Sequence, residues 1–159
     1  MQVSCSGLDW EKVRQRTSTQ QLVDEMFHSE QVDFITRDFY DGIWYSDSAT
    51  QQFEAAEALD EYIPTATGAI KQALEDVVNL FYGAKAIDDL GISSLTQGAY
   101  YCSASPDNVS KLLRSFKILT MDLDVFPDLN EASKEWILQW QSALEYLAAR
   151  KLGLLAHCG

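Results

Sequence analysis

The sequence predicts an α+β fold: one helix-dominated domain, residues 1–159, with a small sheet that includes strands near Val3–Ser6 and Ala99–Ser103. Three observations carry this. Several segments place apolar residues at helical spacing. Two short runs, one around Val3–Ser6 and an aromatic one at Ala99–Cys102, suit a half-buried pleated surface, and each leads directly into a helix cap. Finally, 159 residues that are 47% hydrophobic match one ordinary domain with a sizeable core.

Taken in order, Val3 to Ser6 reads as a strand, Asp9 as an N-cap, and Trp10 and Val13 as one face of a short helix. Thr17 to Phe27 is a second helix. Ser18 and Gln21 fit a capping box, Leu22, Val23, Met26 and Phe27 form its apolar stripe, and His28 is expected at its solvent-exposed C-terminal end. Phe34 to Tyr45 is the most aromatic stretch, with Asp38 and Asp41 among the rings. Paired carboxylates beside aromatics suit a sugar site or an acid/base pair; the alternative is a packing segment whose acids face solvent.

Ser46-Asp47-Ser48 is a cap cluster before a helix from Ala49 to Tyr62, with Phe53, Ala56 and Leu59 inward and Glu54, Glu57, Asp60 and Glu61 outward. No Lys or Arg occurs between Arg37 and Lys71 to offset these acids. Pro64 ends that helix. Thr67 caps the next, Gly68 to Tyr82, whose apolar face is Ile70, Leu74, Val77, Val78 and Phe81, and Gly83 is its stop. The connection from Ala84 to Gln97 is long and contains Asp88-Asp89, an adjacency unlike a Ca²⁺ loop.

After the Ala99–Ser103 strand, Ser105, Pro106 and Asp107 form a well-made helix start, a place that can also receive an anion. The helix runs to about Phe116 with Val109, Leu112, Leu113 and Phe116 inward. Asp128 or Asn130 then caps the longest helix, in which Ala132, Trp136, Trp140, Leu144 and Leu147 recur on one face. Gly153 is read as its stop, and Leu154 to Cys158 as a short terminal strand.

The chemistry is defined more by charge than by motif. Twenty-four acidic residues against twelve basic ones give a net charge of −12, which repels nucleic acid and anionic membranes and favours a basic partner. No apolar run approaches the roughly 20 residues of a membrane span, and Met1 to Ser6 lacks the features of a secretory signal, so a cytoplasmic location is expected. Three cysteines at wide spacing (Cys5, Cys102, Cys158) and two histidines fit neither a disulfide framework nor a zinc site. GxSxG, Walker A, GxGxxG after a strand and HExxH are all missing, and nothing in the spacing supports a pairing of His157 with Cys5 or Cys102. No catalytic residue, metal or cofactor is assigned.

Three segments together resemble the YfbM-like bacterial domain family, a domain of unknown function. They are Leu8-Asp9-Trp10-Glu11-Lys12-Val13, then Asp38-Phe39-Tyr40-Asp41-Gly42-Ile43-Trp44-Tyr45, then Gly83-Ala84-Lys85-Ala86-Ile87 leading into Tyr100-Tyr101-Cys102-Ser103-Ala104-Ser105-Pro106. The resemblance implies an α+β fold and no established activity. Trp44 stands where the family has histidine, so any chemistry of that histidine is missing here. Residues 46–82 look longer than in the family, a variable helical insert that brings the acidic helix. Members near toxin or secretion loci make an immunity role the expectation that follows from the resemblance.

The sequence therefore points to a non-enzymatic binding protein of the immunity or antitoxin type, neutralising a basic toxin through Glu54, Glu57, Asp60 and Glu61, with Asp38 and Asp41 in reserve. The alternative is a small-molecule or enzymatic site near Tyr40, Asp41, Trp44, Tyr100 and Tyr101, and a third reading is a homo-oligomeric structural domain.

Overall fold

The fold is given by a computed structural model that describes residues 3–16, 18–28, 33–36, 45–46, 48–83, 87–93 and 100–158. It is α+β and helix-dominated. In chain order the elements are β1 (Val3–Leu8), α1 (Trp10–Arg14), α2 (Thr19–His28), β2 (Ile35–Thr36), β3 (Tyr45–Ser46), α3 (Thr50–Asp60), α4 (Gly68–Tyr82), β4 (Tyr100–Ala104), α5 (Pro106–Thr120), α6 (Glu131–Ala149) and β5 (Gly153–Cys158). Short 3₁₀ turns at Ile63–Thr65 and Leu123–Val125 join α3 to α4 and α5 to α6.

The two expected strands lie in one sheet, but they are not neighbours. β5 runs between them, antiparallel to both, in the order β2-β1-β5-β4, and β3 pairs with the other end of β1. The terminal segment is thus the middle of the sheet.

Register fixes what each face buries. Cys5, Ala156 and Cys102 stand side by side, as do Ser6, Leu155 and Ser103, and successive rows point to opposite faces. One face carries Val3, Cys5, Cys102, Ala104, Leu154 and Ala156 into the larger core, built with α3, α4, α5 and α6. At its centre Phe81 meets Phe116 at 5.9 Å and Trp140 at 6.1 Å between ring centroids. The small residues of this face let the helices approach closely. The opposite face supports a second, smaller core of Leu8, Val13, Leu22, Val23, Met26, Phe34, Leu90 and Ile92.

Helix starts follow local chemistry. Asp9 accepts from the Lys12 amide, Ser18 from the Gln21 amide, Ser105 from the Asn108 amide at 3.3 Å and Asn130 from the Ser133 amide at 2.7 Å. Asn130, not Asp128, is therefore the cap of α6. Gly83 ends α4 at φ +79°, a left-handed position suited to glycine. Arg16 fastens the first two helices: its guanidinium reaches Glu25 at 2.8 Å and Asp33 at 2.9 Å and lies 4.7 Å from the Phe34 ring centroid.

Several expectations need correction. Thr67 sits at the N-cap of α4, but its side chain makes no capping bond. Ile70 is 50% exposed: nothing in α4 before Ala73 is buried, so the first turn runs past its neighbours. In α6, Ala132 is exposed and Ser133 turns inward, because Ser133 shares the i, i+3, i+4, i+7 stripe with Trp136, Ile137 and Trp140. α5 continues beyond Phe116 to Thr120, burying Leu119, since no breaker intervenes. Gly153 does not stop α6. The stop is Lys151, at φ 55°, with the Leu152 amide bonded to the Leu147 carbonyl and the Lys151 amide to that of Ala148. Gly153 lies instead within β5, where an added Cβ would be 2.5 Å from the Trp10 ring and 2.9 Å from the Ala104 carbonyl oxygen.

Candidate functional site

α3 forms because its sequence is rich in alanine and straight-chain residues and lacks interior glycine or proline. Ser48 accepts from the Thr50 amide at 3.2 Å at its start. The helix buries Gln52, Ala55, Ala56 and Leu59, whereas Phe53, expected inward, is only partly buried and stacks on Tyr82 at 6.4 Å. Gln52 takes an inner position because its amide donates to the Phe81 carbonyl at 3.1 Å, satisfying an acceptor in the last turn of α4.

With that face turned inward, Glu54, Glu57, Asp60 and Glu61 are all exposed. They divide into two sets. Glu54, Glu57 and Glu61 follow the i, i+3, i+7 spacing of one stripe and line a concavity of about 340 Å³ together with Ala58, Asp128 and Asn130. Asp60 is not among the residues that line it. Burial first, then Asp60 and Glu57, raise the Tyr82 phenol above its ordinary range. Asp128 and Asn130, from the α5–α6 connection, are read from the sequence only as cap candidates for α6, not as partners of α3. Asn130 donates to Glu54 at 3.4 Å, and the Tyr62 hydroxyl donates to Asp128 at 3.0 Å. Only the fold brings them to α3, from more than 60 residues away.

The electrostatics of this face are unfavourable to the isolated fold. Among the described residues, none of Glu54, Glu57, Asp60, Glu61 and Asp128 has a cationic side chain within 4.0 Å. Asp60 and Glu61 sit at the C-terminal end of α3, where the helix dipole disfavours anions, and the last turn holds no basic residue. Among the described residues, no group of three or more His, Cys, Asp or Glu side chains is placed to hold a metal ion.

The other acidic pair behaves differently. Asp88 accepts from the Ile92 amide at 2.9 Å, the Ser93 amide at 3.2 Å and the Ser103 hydroxyl at 3.1 Å. Asp89 accepts from the Ser105 amide at 2.6 Å and the Asn108 side chain at 2.8 Å. The start of α5, a place that can receive an anion, is taken by the chain's own Asp89 carboxylate.

The sheet separates the thiols from the histidine. Cys5 and Cys102 flank Ala156 on one face, while His157 pairs with Ser4 and Tyr101 on the next row and points the other way. Two strand spacings, about 9.6 Å, lie between the two cysteines, beyond disulfide reach. Both are buried, and burial, followed by Cys102, pushes the Cys5 thiol far from ionisation. His157 stacks on Tyr101 at 4.6 Å, and burial lowers its pKa from the ordinary 6.5.

Asp38, Tyr40, Asp41 and Trp44 lie outside the described residues, as does the side chain of Tyr100, so the reserve acids and the pocket expected there are not part of this description. Among the described residues no helix is long and apolar enough to cross a membrane. No family model, curated protein or solved structure matches this chain.

Proposed function

We propose that this chain is a non-enzymatic binding protein of the bacterial immunity or antitoxin type, which acts in the cytoplasm and neutralises a basic toxin through its acidic α3 face. The observation that carries the reading is the set Glu54, Glu57, Asp60 and Glu61: exposed, without a cationic side chain within 4.0 Å among the described residues, and with Asp60 and Glu61 at the negative end of the helix dipole. Such an arrangement costs the free fold and is relieved when a cationic surface covers it. Asp128 widens the same face, and the net charge of −12 steers a basic partner toward the molecule from a distance. The resemblance of short segments to the YfbM-like domains supports the same direction.

The test is a parallel capture from the native host. Wild-type protein and a variant carrying Glu54→Lys, Glu57→Lys, Asp60→Lys and Glu61→Lys serve as bait. The expected result is a basic protein retained by the wild type, released by salt, and held at least about 100-fold more weakly by the variant. Retention of no basic protein, or equal retention by both baits, would overturn the reading.

A further inference from the structure

Beyond the acids, the end of the molecule that carries them exposes three large apolar side chains. Met121 is 84% exposed, Val125 56% and Leu138 45%. They are scattered in sequence, and two hydrogen bonds tie together the segments that carry them. Lys134, Leu138 and Gln141 form one stripe of α6 at i, i+4, i+7. The segment that follows α5 runs along this stripe and is tied to it at both ends: Thr120 bonds to Gln141, and Lys134 bonds to Asp124 at 2.9 Å. The two ties bracket Leu138, and Met121 and Val125 each follow a tied residue directly.

An acidic rim surrounds these side chains. Asp122, Asp124, Asp128, Glu131 and Glu135 are exposed on the same connection and the first turns of α6. Two lysines lie nearby. Lys134 is already engaged by Asp124 and Glu131, and Lys117 stands one turn before Met121. Asp128 and Asn130 belong both to this connection and to the concavity on α3. A lone acidic patch attracts any cation. Acids bordering exposed Met and Leu suit a narrower class: a segment that alternates positive charge with apolar residues at helical spacing.

We propose that the α5–α6 connection is the apolar anchor of the docking surface, and that its occupant is a basic amphipathic helix of the partner protein. The helix lays its apolar stripe on Met121, Val125 and Leu138 and its Lys or Arg residues on the α3 and α6 acids. This rests on the binding function proposed above and specifies the partner's chemistry.

The test uses two Lys/Leu peptides of identical composition, one patterned as an amphipathic helix and one scrambled, titrated against the full-length protein. On the wild type the patterned peptide binds about tenfold tighter than its isomer. In a variant with Met121→Gln and Leu138→Gln, both exposed positions that tolerate polar residues, that ratio falls to about one while the scrambled peptide binds as before. A second variant with Glu54→Gln, Glu57→Gln and Glu61→Gln weakens both peptides. Equal binding of the two isomers to the wild type overturns the anchor, and so does a ratio that survives Met121→Gln and Leu138→Gln. If equal binding is accompanied by weakening in the glutamine variant, the acidic-face function stands and only the anchor falls. Binding of neither peptide overturns the proposal. So does a dimer of the free protein that dissolves on Met121→Gln and Leu138→Gln, which would assign this face to a second copy.

Discussion

Asp88 and Asp89 lie in a loop, and between them they accept five hydrogen bonds from the loop itself, β4 and the start of α5. Glu54, Glu57, Asp60 and Glu61 lie on a regular helix, and none has a cationic side chain within 4.0 Å among the described residues. Identical chemical groups thus serve opposite ends. The loop carboxylates substitute for secondary structure, satisfying amides that no ladder reaches. Among the helix carboxylates, Asp60 and Glu61 oppose the helix dipole. Acidity alone therefore does not mark a site; the two sets differ in how much of the fold each carboxylate holds.

The contrast can be broken most directly at Asp88. Asp88→Ala removes an acceptor from two amides and the buried Ser103 hydroxyl, and urea unfolding should show a loss of about 2–3 kcal/mol. Asp89→Ala should lose less, about 1–2 kcal/mol, because its partners are exposed and water can replace it. A loss under about 0.5 kcal/mol at both positions would remove the distinction between the two acidic sets.

The α3 acids should behave in the opposite sense. Changing Glu54, Glu57 and Glu61 to Gln and Asp60 to Asn should leave stability within about 0.5 kcal/mol, with the sign on the stabilising side, because like charges at i, i+3 and i, i+4 are relieved. A destabilisation above about 1 kcal/mol would mean that these groups hold the fold rather than face a partner.

The smallest effect belongs to neither acidic set and separates the sheet from both. Burial keeps the His157 pKa in the folded protein below its ordinary 6.5. As pH falls through about 6.5 the unfolded chain takes up a proton that the folded protein refuses, so the native state loses stability on the acid side and is unaffected above it. His157→Gln should flatten that part of the profile when unfolding is followed from about pH 7.5 down to about pH 5. An unchanged slope would show that His157 is as free to charge as in the unfolded chain.

What the sequence made legible was the chemistry that acts within about four residues. Ser105 before Pro106, Asp9 before Trp10 and Gly83 after Tyr82 each state a helix boundary locally, and each is found there. The α3 stripe was also readable, since helical spacing alone turns Glu54, Glu57 and Glu61 together. Long-range partners were not. Nothing near Asp88 announces Ser103, and nothing near Glu54 announces Asn130. Lys151 hid the end of α6 by occupying a left-handed position usually given to glycine, while Gly153, whose type suggested a stop, serves close packing under Trp10.

The position of β5 has a consequence in time as well as space. Val3 pairs with Cys158, so the first and last strands close the sheet across nearly the whole chain. The stack α3 to α6 is built mostly from helices that follow one another in sequence, with α3 against α6 as its long-range pair. β1 and β4 do not pair with each other, and each depends on the strand that separates them. The slow step is then closure of the longest loop in the molecule.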